Sequence, residues 1–192
     1  KFDQPTTRIN QLWQTDFTYL KIIHWGWYYL STVMDDYSRY ILSWRLCSGM
    51  STEDVKATID DAIGVSGVDH VYINHRPRLL SDNGPCYISG DLKKYLANQG
   101  FTHTRGKPYH PMTQGKVERY HRSMKNVLLL DNYYSPDDLI AEMNDRLRIT
   151  SIAVTHDMLS AFKIGKRIAM LHEGRVAFDG FVDEAALAAR YA

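Results

Sequence analysis

Three strand-like runs follow one another almost without interruption between residues 12 and 47, and this succession limits the fold more than any other feature of the sequence. Leu12 to Ile23 is rich in aromatic and β-branched residues; Trp27 to Met34 and Tyr40 to Cys47 have the same character. Only His24-Trp25-Gly26 and Asp35-Asp36-Tyr37-Ser38-Arg39 break them. Connections this short join antiparallel neighbours, so the runs predict a meander. With 44% hydrophobic and 23% charged residues, the 192-residue chain can bury a core beneath such a sheet.

The rest of the chain predicts layers around that sheet. Ser51 offers an N-cap with Glu53 and Asp54 in the first turn, and Val55, Ile59, Ala62 and Ile63 recur at helical spacing. A helix is expected over 52–64, ended by Gly64 and Gly67. His70 to Ile73 reads as a short strand and 74–77 as a loop. Arg78 to Ser81 reads as a buried strand end that runs into Asp82. Ser89 to Gln99 predicts a helix closed by Gly100, Phe101 to Arg105 a strand, and Thr113 to about Leu130 a long helix. This order predicts an α/β fold, a mixed sheet with helices on its faces.

Three carboxylates stand out against that frame. Aspartate is depleted in strand interiors, yet Asp16 lies inside an aromatic strand. Alternation puts Gln14, Asp16 and Thr18 on one face, with Trp13, Thr15, Phe17 and Tyr19 on the other. Asp82 ends a strand before Asn83-Gly84, and Glu118 lies on the long helix, with 35 residues between the two. Taken singly they read as an edge residue, a turn residue and a solvated helix residue. Together they suit hard divalent cations, which take oxygen ligands converging from rigid elements. Two such ions can serve an in-line phosphoryl transfer. Asp35 and Asp36 are assigned to the hairpin turn with Ser38 and Arg39.

The net charge of +1 says little, but its distribution says more. Residues 103–125 hold six Lys or Arg, three His and a single acid, Glu118. A lone carboxylate in a basic run suits a cation held beside a polyanion. On the long helix Val117, Tyr120, Met124, Val127 and Leu128 form the expected apolar stripe, leaving Gln114, Glu118, Arg122 and Lys125 on the polar face. Arg122 and Lys125 are candidates for DNA phosphate contact; His110, Lys116 and Arg119 are weaker ones. A solvated face is the plain alternative for Arg122 and Lys125. Two cysteines are too few for a disulfide framework, so a reducing cytoplasm is expected. No apolar stretch approaches the roughly 20 residues a membrane span needs.

Leu12-Trp-Gln-Thr-Asp16-Phe-Thr-Tyr, Leu30 to Tyr40, Leu80-Ser-Asp82-Asn-Gly and His110-Pro-Met-Thr-Gln-Gly-Lys-Val-Glu118-Arg resemble the catalytic core of retroviral-type integrases and insertion-sequence transposases. The Asp-to-Glu gap matches the family's pattern, and the resemblance covers roughly residues 8–137. It implies a ribonuclease H-like fold, Mg²⁺ or Mn²⁺ (two ions) at Asp16, Asp82 and Glu118, and DNA nicking followed by strand transfer. It also implies a homo-oligomer on DNA. Residues 1–10 hold none of the DNA-binding helical segments such transposases carry ahead of the core. The Tyr-Asn-x-x-Arg-Pro-His-like stretch expected after the glutamate helix is also missing.

The sequence changes character near Asp137, so domains are expected at 1–137 and 138–192. Leu139 to Leu147 reads as a helix, Thr150 to Met158 as a strand and turn, and Ile168 to Val176 as a hairpin turning at Glu173-Gly174. These segments resemble the C-terminal end of an ABC-transporter ATP-binding subunit, with His156 matching its switch histidine. Gly165-Lys166-Arg167 departs from that pattern. No P-loop sequence occurs in the chain, so this appendage is expected to lack ATPase activity. A catalytically inactive DNA-binding remnant and a nucleotide-binding fragment stand as alternatives to the transposase reading.

Overall fold

The computed structural model describes residues 5–70, 76–106, 115–147, 167–172 and 175–181. The three opening runs form β1 (Leu12–Ile22), β2 (Gly26–Asp35) and β3 (Ile41–Cys47). β2 pairs antiparallel with β3, with a register shift between Val33 and Met34. β4 (Arg78–Ser81) then joins the other side of β1 in parallel, and β5 (Thr102–Arg105) pairs in parallel with β4. The five-stranded sheet runs β3-β2-β1-β4-β5, a mixed sheet of the expected kind.

The helices form where short-range chemistry favours them. Ser51 and Asp54 close a complete capping box on α1 (Thr52–Ser66), which continues through Gly64 and ends at Gly67, a left-handed residue at φ 64°. Residues 68–70 form a 3-10 turn; the strand expected at 70–73 falls mostly outside the described residues. A short helix absent from the sequence reading, α2 (Pro85–Ile88), starts on Pro85, whose fixed φ suits a first helical position. α3 (Gly90–Asn98) is capped by the Ser89 hydroxyl, which accepts from the Leu92 N–H.

One apolar cluster gathers Trp13 and Val33 from the sheet with Val55, Ile59 and Ala62 of α1, Tyr87 of α2, and Leu92 and Leu96 of α3. Trp13 and Phe101 are both buried, their ring centroids 5.4 Å apart. Phe17 packs on the same cluster, as the alternation along β1 predicts. α4 (Gly115–Leu128) places its first turn against Gln14 of β1, whose Oε1 accepts from the Val117 N–H at 3.3 Å.

The chain divides into two packing units, one of 1–21 and 25–131, the other of 22–24 and 132–192. In the second, the Ile23 N–H donates to the Tyr133 carbonyl at 2.8 Å. α5 (Pro136–Leu147) follows, with the Ser135 hydroxyl accepting from the Asp138 N–H. β6 (Arg167–His172) and β7 (Arg175–Phe181) form the expected antiparallel hairpin, braced by a two-pronged Arg167–Asp179 ion pair. The boundary read at residue 137 falls in the first turn of α5. Thr150 to Met158, with His156, lies outside the described residues.

Candidate metal and nucleic-acid site

β1 and β4 bring two of the three carboxylates together. Their register sets Leu12 against Arg78, Trp13 against Leu79 and Gln14 against Leu80. Continued past its last paired position, that register leads β1 to Asp16 and the end of β4 to Asp82, which lies just beyond the strand. The two interact electrostatically: partial desolvation, with the like charge of Asp16 added, raises Asp82 from its ordinary carboxylate value against the lowering effect of the Gly84 N–H.

The turn holding Asp82 is fixed at several points. Asp82 Oδ1 accepts from the Gly84 N–H at 2.8 Å, and a Cβ added at Gly84 would meet that oxygen at 3.1 Å. The glycine therefore leaves room for the carboxylate to fold back over its own turn. Asn83 Nδ2 donates to the Gly106 carbonyl, and the Gly106 N–H to the Ser81 carbonyl. Beneath, buried Tyr87 meets Thr15 Oγ1 at 3.4 Å.

α4 brings the third carboxylate, and its burial pattern corrects the apolar stripe read from the sequence. Val117, His121, Met124 and Leu128 are buried; Tyr120 is half-buried and Val127 exposed. His121 takes its place in the stripe because its polar atoms find partners. Nε2 lies 3.1 Å from Thr32 Oγ1, and Nδ1 lies 3.5 Å from Asp16 Oδ2. Spacing alone gave the signal, since His121 falls four residues after Val117 and three before Met124.

Glu118 is exposed, one turn ahead of His121. Among the described residues no three His, Cys, Asp or Glu side chains converge closely enough to hold a metal ion. Asp16 and Asp82 feel each other's charge, and Glu118 does not complete a cluster with them. The donor set still fits a hard divalent cation: one carboxylate on β1, another in the fixed turn that ends β4, and a glycine where any side chain would crowd the second.

The basic candidates divide. Lys116 donates to Asp36 Oδ2 at 2.7 Å and to the Asp36 carbonyl at 3.0 Å, so its ammonium is held within the protein. Arg119 and Arg122 are exposed. Lys125 lies over the Tyr19 ring, 4.0 Å from its centroid, and feels the charge of Asp16. His110 and Gln114 lie outside the described residues. Asp35 and Asp36 do belong to the turn, but both are buried there. Asp35 accepts from the Asn10 N–H and from Ser38, while Asp36 accepts from Thr6, Gln14 and Lys116. That brace, which ties the first turn of α4 to β1, was not visible in the sequence.

A mixed five-stranded sheet flanked by helices in this order is the ribonuclease H-like fold of integrase and transposase catalytic cores. The catalytic domain of Mos1 mariner transposase superposes with a TM-score of 0.61 at 11% identity, over 74% of this chain and 72% of that one. The HTLV-2 integrase catalytic core, a structure in complex with magnesium, superposes at 0.54 with 22% identity, over 74% and 91%. Residues 6–111 match the Integrase core domain family, and the chain belongs to it. The Gag-Pro-Pol polyprotein of mouse mammary tumor virus is 29% identical over 140 residues, 68% of this chain but 7% of that polyprotein.

Proposed function

We propose that this chain is the catalytic core of a transposase or integrase, cleaving DNA phosphodiesters and transferring strands, with Asp16, Asp82 and Glu118 as ligands for Mg²⁺ or Mn²⁺. The observation that carries the reading is the parallel pairing of β1 with β4, which brings Asp82 within reach of the like charge of Asp16, a repulsion that a divalent cation would relieve. When bound, the ions supply a polarised phosphate and an activated attacking oxygen. The chain's own part is to hold the carboxylates at fixed separation: Asp82 through its turn, Asp16 beside His121, Glu118 through the rotation of α4. Arg119, Arg122 and Lys125 contact DNA phosphates, which positions the substrate without reading its sequence. In this reading the chain works as a homo-oligomer on DNA in the cytoplasm. Residues 138–192 are an appendage related to an ABC ATP-binding subunit and without nucleotide chemistry; measurable ATP affinity would contradict that.

The test is cleavage of end-labelled DNA in Mn²⁺ by the chain, by Asp16→Asn and by Glu118→Gln. Both variants are expected to fall to background while still binding DNA. Cleavage retained by either would remove that residue from the site.

A second reading rests on the separation of Glu118 from the Asp pair. It makes the chain a DNA-binding remnant without catalysis, and DNA binding without Mn²⁺-dependent cleavage in the parent chain would favour it.

A further inference from the structure

Two aromatic side chains stand exposed side by side on the first unit. Tyr19 of β1 is 58% exposed and Trp27 of β2 is 53% exposed, and their rings meet edge to face at 5.3 Å. Large aromatics so placed lose the burial that normally stabilises them. Each carries a cation: Lys125 Nζ lies 4.0 Å from the Tyr19 centroid, and Lys21 Nζ 5.9 Å from that of Trp27.

We propose that Tyr19, Trp27, Lys21 and Lys125 form a platform for an unpaired DNA strand, its bases stacking on the rings and its phosphates meeting the two ammonium groups. The inference rests on the DNA reading of the candidate site and extends it to a single-stranded segment of the substrate. Flat rings beside positive charge are what sequence-tolerant single-strand binding uses, because every base has a π-face. Duplex DNA keeps its base faces stacked and cannot offer them to a protruding ring. A second copy of the chain docking this patch on itself would set lysines against lysines. Lys125, which the charge of Asp16 also reaches, is shared between the platform and the candidate site.

The tryptophans make the proposal readable. Trp13 and Trp44 are buried, whereas Trp25 and Trp27 are exposed, so a Trp25→Leu chain leaves Trp27 as its exposed tryptophan. Titrating that full-length chain with a short oligo-dT strand is expected to quench its fluorescence in a salt-dependent way, and a duplex of equal length is expected to quench it far less. Adding Trp27→Leu or Tyr19→Leu should weaken oligo-dT binding about tenfold while leaving the melting temperature unchanged. Equal affinity with and without the rings would overturn the platform, as would equal quenching by duplex. Concentration-dependent self-association without oligo-dT binding would assign the patch to a protein partner and overturn it too. The same titration on Glu118→Gln separates the two claims. Quenching without cleavage in the parent chain refutes only the catalytic reading, and cleavage without quenching refutes only the platform.

Discussion

Asp36 shows how a single buried charge can be retained when its surroundings are arranged for it. Burial alone would raise its carboxyl, but hydrogen bonds from Lys116, Thr6 and Gln14 outweigh that and leave it below the ordinary value. A carboxylate with a lowered folded value contributes stability above its ordinary titration range and loses it as pH falls through the folded value. Asp36→Asn is therefore expected to destabilise the chain at pH 7, with the difference shrinking as pH falls below the ordinary carboxylate range, by urea unfolding at each pH. Lys116→Met strands the Asp36 charge and should cost about 2 kcal/mol at pH 7 in the same measurement. The two cysteines give an independent check. Burial, with Asp54 nearby, pushes the Cys47 thiol up to about 12, and burial with Asp82 nearby raises Cys86. Both should alkylate slowly in the native chain at pH 8 and rapidly in urea, as followed by mass spectrometry.

α4 is the element on which the sequence reading and the structure part most instructively. Val117, Met124 and Leu128 were legible from their apolar character and spacing. His121 was not, because a histidine counts as polar until Thr32 and Asp16 are seen to receive it. The packing predicts opposite outcomes for two members of the expected stripe. Met124→Ala should cost roughly 2–4 kcal/mol, whereas Val127→Ala should change stability by less than about 0.5 kcal/mol, both by thermal or urea unfolding. α2 was missed for a different reason: four residues give no periodicity to detect, and only Pro85 after Gly84 marks its start. The β2–β3 pairing was legible because its turn is local.

At the scale of the whole molecule, order along the chain was legible and partnership was not. Asp16 and Asp82 were singled out by residue type and setting. That they come within reach of each other's charge follows from a parallel pairing between strands far apart in sequence, which no local pattern reports. Lys116 likewise had an obvious charge and an unpredictable partner. The Ile23–Tyr133 hydrogen bond gives a prediction at this scale. A chain ending at Leu147 keeps the Tyr133 carbonyl for the Ile23 N–H, and one ending at Asp131 loses it. The chain ending at Leu147 is expected to melt higher, since the shorter one also loses buried Tyr133, Leu139 and Met143; equal midpoints would show that this segment adds no stability.

The pairing of β1 with β4 also has a consequence in time. β1, β2 and β3 adjoin through short turns and can zip together as soon as they are made, whereas a parallel partner must wait for a long crossover to close. Asp16 is thus set in place early by local pairing, and Asp82 arrives only with the non-local pairing of β4 on β1, which brings two negative charges into each other's field. A divalent ion that relieves that repulsion would act after the slow step of assembly. It is expected to slow unfolding several-fold in stopped-flow measurements while leaving the refolding rate nearly unchanged.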